Sequence, residues 1–242
     1  MNPTIFLGAR RPFTLNAWPT LSRRAQDALK LLAVLSMVAD HANRTLNPQQ
    51  LEFPGVILAV FGRLAFPLIS LLIAQNLAMR NTKPRSYLFP LLIAGLISQW
   101  PFQEAINPGS LNVMFTLLLG VGAVAIGDWF DARLFKGAGL FCIAFAALLG
   151  LSSDYPLFGS ALIPLAVILL RSQNVLAWIP FLAVALLTNL FTANAYVILA
   201  LPVIVLAASR LEGQRWLKLP YIGYWFYPAH LFVLLLLKAV LR

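Results

Sequence analysis

The feature that most constrains this chain is a series of long apolar runs, separated by short segments that hold most of the charges. Nine runs can be drawn, and they cover residues 28–46, 55–79, 86–101, 111–129, 137–152, 156–171, 175–191, 194–209 and 221–241. A helix needs about 20 apolar residues to cross a bilayer core of about 30 Å, so the shorter runs must tilt or pack against other helices. The pattern predicts an all-α, polytopic integral membrane protein with about nine transmembrane helices (between eight and ten).

The composition excludes an ordinary soluble domain. Apolar residues make up 60% of the chain and charged residues 11%, whereas soluble globular domains carry about 25% charged residues. The net charge of +10 would suggest nucleic acid binding if the basic residues formed one patch. They lie instead in short clusters between the apolar runs, so we predict no nucleic acid partner.

The basic clusters alternate along the chain, which predicts the orientation. They precede the first run and follow the second, fourth, sixth and eighth runs, at Arg10, Arg11, Arg23, Arg24, Lys30, Arg80, Lys83, Arg85, Arg133, Lys136, Arg171, Arg210, Arg215 and Lys218. The intervening connections hold only Arg44, Glu52, Glu104 and Asp154. Lys and Arg mark the cytoplasmic side, so the N-terminus is predicted to lie inside, on the cytoplasmic side of the membrane, and the C-terminus outside it.

Two segments follow from this topology. Residues 1–27 are predicted to form a cytoplasmic or interfacial N-terminal segment, and residues 28–242 a single transmembrane domain. The single cysteine, Cys142, lies inside an apolar run, where a buried and inert thiol is expected.

Four ionisable residues inside three of the runs are the candidates for function, since burying such groups in a bilayer is expensive. They are Asp40, His41, Arg63 and His230. At about 1.5 Å per residue, His41 lies roughly 16 Å from Lys30, Arg63 roughly 16 Å from Glu52 and His230 roughly 18 Å from Lys218. Three segments thus place ionisable groups at one level of the membrane, as a buried site requires.

Structural roles for these residues remain open at this point. Each histidine could be a satisfied interhelical hydrogen-bonding residue, and Arg63 could serve only as the counter-ion of Asp40. Two histidines and one carboxylate could also bind zinc, but no further ligand with a metal-site spacing is nearby, and we expect no metal. Neighbours on a helix diverge by about 100°, so Asp40 orients His41 only if the helix breaks there.

Prolines near these residues favour broken or kinked helices. Pro48 follows Asn43, Arg44 and Thr45, which predicts an unwound end of the first helix, and Pro67 and Pro228 lie close to Arg63 and His230. Other polar residues at the outer ends of the runs are either interfacial anchors or part of the site, namely Gln99, Trp100, Asn112, Thr116, Asp154 and Tyr155.

Several blocks of the sequence, spread from about residue 29 to 235, resemble the TraX family. The blocks are LKLLAVLSMVADHANRTL, GRLAFPLISLLIAQNLAMRN, ISQWPF, LNVMFTLLLG, SSDYPLFGSALIPLAVILLR and YPAHLF. The Asp-His pair, the Gly-Arg-x-x-Phe-Pro block and the Tyr-Pro-x-His block are the specific parts of the match. The family is associated with conjugative plasmids and includes an N-acetylase of the pilin subunit. It is similar to the broader integral-membrane acyltransferases, which use cytoplasmic acyl-CoA.

The resemblance implies a membrane-embedded acetyltransferase, with acetyl-CoA as donor and a membrane-inserted pilin or prepilin as acceptor and partner. It implies that His41 is the catalytic histidine, with Asp40 as its companion and His230 as a second site histidine. It implies that Arg63 binds the donor or balances charge. The residues themselves leave two alternatives, because intramembrane Asp, His and Arg also occur in proton-coupled transporters and in non-catalytic assembly proteins.

Overall fold

The computed structural model describes residues 21–47, 53–79, 82–133, 154–155, 159–172, 176, 178–192, 200–214 and 222–241. The predicted run 137–152, with Cys142, lies outside the described residues. The described residues are mostly helical and contain no strand, which confirms the all-α prediction. The helices are α1 (Arg23–Leu46), α2 (Gly55–Gly62), α3 (Ala65–Met79), α4 (Arg85–Ala105), α5 (Val113–Arg133), α6 (Gly159–Ser172), α7 (Trp178–Thr192), α8 (Ala200–Arg210) and α9 (Ile222–Val240).

The helix boundaries agree with most of the predicted runs to within a few residues, and α1 shows why its start lies earlier. Ser22 caps the helix, because its hydroxyl accepts a hydrogen bond of 3.0 Å from the amide of Ala25. The same hydroxyl donates to the Leu211 carbonyl at 2.6 Å, after the end of α8. The helix therefore begins five residues before the predicted position 28.

Of the three breaks predicted near prolines, only the one beside Pro67 and Arg63 occurs. The helix α1 continues through Asn43, Arg44 and Thr45 to Leu46, so the predicted unwinding there is wrong. The helix α9 also continues through Pro228. The run 55–79 is divided at Arg63 and Leu64, where α2 ends and α3 begins.

A close approach between two helices accompanies that division. A Cβ atom at Gly62 would lie 2.8 Å from the Asp40 Cα and would overlap the Asp40 Cβ. The end of α2 thus packs directly against the backbone of α1, and only glycine leaves the necessary space. This contact brings the start of the α2–α3 turn next to Asp40.

Hydrogen bonds join helix ends in pairs. Ser22 meets Leu211, and the Asn76 amide donates to the Tyr87 hydroxyl at 3.0 Å where α3 and α4 adjoin. The Lys238 ammonium donates to the Glu104 carbonyl at 2.9 Å, which joins α9 to α4. The charge pattern assigns both ends of each pair to the same side, so the ends fall into two groups by side.

The interior contains many polar side chains, and the outer surface is largely apolar. Fully or almost fully buried polar residues include Ser36, Asp40, His41, Asn43, Ser70, Gln75, Ser98, Asn112, Thr116, Ser160 and His230. Large apolar side chains are exposed on several helices, among them Leu35, Phe89, Leu96, Trp225 and Leu236. Most of the buried polar groups must therefore find partners within the protein.

One helical stretch among the described residues, Gly55–Ala78, is long and apolar enough to cross a membrane. It contains α2 and most of α3. Four apolar helical segments are shorter, at Val113–Trp129, Gly159–Arg171, Ala200–Arg210 and Tyr224–Val240.

Candidate active site

The two histidines of the chain meet at the contact between α1 and α9. Nδ1 of His41 lies 2.7 Å from Nε2 of His230, within hydrogen-bond distance, and the ring planes are inclined by only 8°. Both side chains are buried, with 4% and 7% of their surface exposed. The sequence predicted the two histidines at one depth, and the structure brings them into direct contact.

Residues of α9 hold the second histidine in place. Nδ1 of His230 lies 3.0 Å from the backbone carbonyl oxygen of Phe226, and the Phe226 ring lies nearly parallel to the imidazole, with 5.4 Å between centroids. Tyr227 places its ring edge-on to both His41 and His230. Aromatic packing and one backbone hydrogen bond therefore restrict the orientation of the His230 ring.

Asp40 belongs to a different group, a network of four charged residues. Its carboxylate lies 3.1 Å from Nε of Arg44, one helical turn onward, and 3.7 Å from Nε of Arg63. Arg44 also reaches the Asp154 carboxylate at 3.5 Å. Two arginines and two aspartates are thus clustered and largely buried, so their formal charges cancel.

Asp40 and His41 are adjacent in sequence but contact different partners. Since α1 is intact here, Asp40 faces the arginines, whereas His41 faces α9. Asp40 makes no hydrogen bond to His41. If Asp40 is a companion of His41, as the resemblance implies, it influences His41 through the charge network and not through a direct hydrogen bond.

Arg63 has a longer and weaker contact with Asp40 than Arg44 has. The residue lies at the turn after α2, and 17% of its side chain is exposed. Its ion pair with Asp40 agrees with the structural alternative, but its Nε is buried without a hydrogen bond among the described residues. Asp40 therefore keeps its nearer partner, Arg44 at 3.1 Å, when Arg63 contacts another group.

A cavity of about 30 Å³ adjoins both groups. Asp40, His41, Asp154 and Tyr155 line its polar side, and Met37, Gly62, Ala65, Phe66, Ile69, Val113, Met114 and Leu117 complete the wall. Such a volume holds one or two water molecules. A larger substrate would have to widen this cavity to reach the histidine.

Two of the outer polar residues, Gln99 and Asn112, form a separate network that secures the α4–α5 connection. The Gln99 amide donates to the Ser110 carbonyl at 2.8 Å, and the Asn112 amide donates to the Gly95 carbonyl at 2.8 Å and to Gln99 Oε1 at 2.9 Å. The Asn112 carbonyl oxygen accepts from the Met114 amide at 3.0 Å at the start of α5. These contacts agree with a structural role.

The other outer residues divide between the site and the surface. Asp154 joins the charge network, and Tyr155 lines the cavity with its ring stacked on Phe66 at 4.0 Å. Thr116 is fully buried and its hydroxyl has no partner among the described residues, whereas Trp100 is exposed. The sequence thus grouped together residues that the structure separates.

Arg44 is a site residue that the sequence reasoning missed, and that reasoning left Asp154 open between an interfacial anchor and a part of the site. Arg44 was counted only as a charge between runs, although its spacing of four residues from Asp40 is that of an ion pair on one helix face. Asp154 carries no comparable local signal, because its partner is 110 residues away. Within the described residues, no group of three or more histidine, cysteine, aspartate or glutamate side chains is placed to hold a metal ion.

Comparison with known proteins assigns the family. No curated protein and no solved structure matches the chain. The profile described as TraX protein matches residues 25–238, which include the histidine pair, all four charged residues of the network and every described helix except for a few terminal residues. The chain therefore belongs to the TraX family.

Proposed function

We propose that this protein is a membrane-embedded acetyltransferase that moves an acetyl group from cytoplasmic acetyl-CoA to the N-terminus of a membrane-inserted conjugative pilin subunit. The observation that carries the proposal is the buried contact between His41 and His230, beside a charge network and a cavity. Family membership supports the link to the conjugative pilus and its subunit.

The distribution of side chains supports a multi-pass arrangement in the inner membrane. Apolar side chains such as Leu96 and Leu236 are 59% and 67% exposed, while Asp40, His41 and His230 are buried. This is the arrangement expected where lipid replaces water around a helical bundle. The two groups of helix ends are consistent with the alternating basic clusters, which point to a cytoplasmic N-terminus.

Reporter fusions test this topology. A reporter active only in the periplasm should be active when fused after Arg242 and silent when fused near Arg133, because these positions follow an odd and an even number of predicted spans. A reporter active only in the cytoplasm, fused at the same positions, is the control. The reverse pattern would overturn the orientation.

The reaction requires a base close to the attacking nitrogen. The acceptor ammonium first loses one proton to water, and the neutral amine then attacks the thioester carbonyl. As the C–N bond forms and the C–S bond breaks, the base takes the second proton and returns it to the CoA thiolate, so the products are the acetamide and CoA thiol. His41 lines the cavity and is the group assigned to this proton transfer.

Arg63 is assigned to the acyl donor. A guanidinium can donate hydrogen bonds to the oxyanion that forms on the thioester carbonyl, or to a phosphate of CoA. Arg63 suits either role since its Nε has no hydrogen-bond partner in the described part of the chain and its charge lies beside the cavity-lining Asp40. Basic residues at the predicted cytoplasmic ends, such as Lys83, Arg85 and Arg210, would attract the polyanionic donor.

The intact mass of the pilin subunit tests the proposal directly. Pilin made together with the wild-type protein should be heavier by one acetyl group than pilin made alone, and fragmentation should locate the group on the N-terminal amine. An unchanged mass with wild-type protein present would reject acetyl transfer to pilin. If pilus assembly still required His41 in that case, the transport and assembly alternatives would be favoured.

A further inference from the structure

The hydrogen bonds of the histidine pair determine which ring nitrogens carry protons. His230 bonds through both ring nitrogens, with Nδ1 at 3.0 Å from the Phe226 carbonyl oxygen and Nε2 at 2.7 Å from Nδ1 of His41. A carbonyl oxygen accepts hydrogen bonds and cannot donate them. Nδ1 of His230 must therefore carry a proton.

The proton on Nδ1 determines the rest of the pair. In a neutral imidazole only one nitrogen carries a proton, so Nε2 of His230 can only accept. The bond between the rings then requires a proton on Nδ1 of His41, which leaves Nε2 of His41 with a free electron pair. The hydrogen bond made by one ring nitrogen thus selects the tautomer and the reactive atom of the other ring.

We infer that His230 is a positioning residue that holds His41 in its Nδ1–H tautomer and makes Nε2 of His41 the proton-accepting atom. This inference rests on the proposed function for the identity of the reaction, but the tautomers follow from the hydrogen bonds alone. Both rings then occupy the Nδ1–H form, whereas neutral histidine in water prefers the Nε2–H form.

The hydrogen bond between the two rings also determines how the pair holds a positive charge. When Nε2 of His41 accepts a proton, the ring becomes a cation whose Nδ1–H still points at Nε2 of His230. The proton on Nδ1 can then move toward His230, so that the two rings share the positive charge. The transfer is reversed when the proton returns to the leaving thiolate.

Nitrogen NMR of the full-length protein in lipid nanodiscs tests the tautomers without any activity. The chain has two histidines, so labelling histidine with ¹⁵N yields two ring systems, and the His41→Ala variant assigns the remaining one to His230. At mildly alkaline pH both rings should show a protonated Nδ1 and an unprotonated Nε2. A protonated Nε2 on neutral His41 in the wild-type protein would overturn the inference.

Two substitutions of His230 test its effect on the reaction. Leucine offers no acceptor, so His230→Leu should release His41 toward the Nε2–H form and lower the acetylation rate, by less than the loss expected for His41→Ala because the base itself remains. Glutamine offers an amide oxygen to Nδ1 of His41, so His230→Gln should keep the Nδ1–H signal and recover much of the rate. Equal rates and equal spectra for the two variants would overturn the positioning role.

Phe226→Leu is the matched control, because it removes the stacked ring and keeps the backbone carbonyl that accepts from His230. It should leave both tautomers unchanged, and a switch of His230 to the Nε2–H form would overturn the inference. If wild-type protein shows the expected tautomers but never acetylates pilin, the proposed function fails and the tautomer assignment stands.

Discussion

Two polar clusters lie in this bundle, and their hydrogen bonds differ in kind. In the amide network around Gln99 and Asn112, side chains bond mainly to backbone carbonyls and amides, and they secure the connection of α4 to α5. In the site around His41 and Asp40, most contacts join side chains to one another beside a cavity. Partners from the backbone stabilise a connection, whereas charged and titratable partners beside a cavity can take part in chemistry.

The two clusters are also connected to each other through the backbone. The Leu111 carbonyl accepts from the Asp154 amide at 2.8 Å, directly before Asn112. The helix that Asn112 begins then contributes Val113, Met114 and Leu117 to the cavity wall. The amide network therefore stabilises the start of a helix that lines the cavity. Because the network itself holds no titratable side chain, substitutions there should affect stability, and substitutions around His41 and Asp40 should affect activity.

The largest effect is expected for His41→Ala. Removal of the base should lower acetylation by about 10²–10⁴-fold, which would read as complete loss at an endpoint. The protein should remain in the membrane, because the change leaves a smaller apolar side chain at a desolvated position. Pilin mass at matched protein levels measures the effect, and normal acetylation would reject the mechanism and return the pair to interhelical hydrogen bonding.

Substitutions of the two site arginines should differ in their effects on protein stability and on acetylation. Arg63→Ala leaves Asp40 paired with Arg44, so the protein should accumulate normally while acetylation is strongly impaired. Arg63→Lys should restore only part of the activity, since lysine lacks the planar fork. Arg44→Ala is the contrast, because it leaves both Asp40 and Asp154 short of a partner and should cost about 3–5 kcal/mol of stability.

Measurements of membrane abundance and pilin mass in the same cells distinguish these outcomes. Loss of the protein in Arg63→Ala would make Arg63 a structural counter-ion. Wild-type activity in Arg63→Lys would show that a point charge is enough.

Gly62→Ala tests the close approach that positions Arg63. A methyl group there would overlap the Asp40 side chain, so α2 must shift, and overpacking of this kind costs about 1–3 kcal/mol. Gly122→Ala in α5 is the matched control, because its added Cβ would meet nothing within 4 Å. Thermal stability in detergent and pilin acetylation should fall for Gly62→Ala only, because alanine at the open helical position 122 should stabilise by about 0.5–1 kcal/mol, and equal behaviour of the two variants would argue against the contact.

The smallest effect on chemistry is expected for Asn112→Ala. The change removes the cap of α5 and leaves buried groups without partners, which should cost about 1–3 kcal/mol of stability. Acetylation per folded molecule should stay at the wild-type level. Asn112→Ser, which keeps an oxygen for the Met114 amide, should recover part of the stability. A large loss of specific activity in either variant would bring the amide network into the site.

Local features of the sequence predicted the helices well. Apolar runs located the described helices to within a few residues in most cases, because the pattern of apolar residues along the chain is the main local signal for a buried helix. The main exception is the intact end of α1, where contacts with another helix outweigh the local signals. Gly62 packs on Asp40, and Asn43 donates to the Gly55 carbonyl at 3.0 Å.

The sequence by itself determined the all-α class, the family and four of the buried ionisable residues, Asp40, His41, Arg63 and His230, since these follow from composition, spacing and matched blocks. Only the tertiary structure decided which of them meet. His41 and His230 are 189 residues apart, and Arg44 and Asp154 are 110 apart, so no local pattern reports their contacts. Partner choice in a buried cluster depends on helix packing, because each group must be satisfied by whatever side chain the neighbouring helix presents.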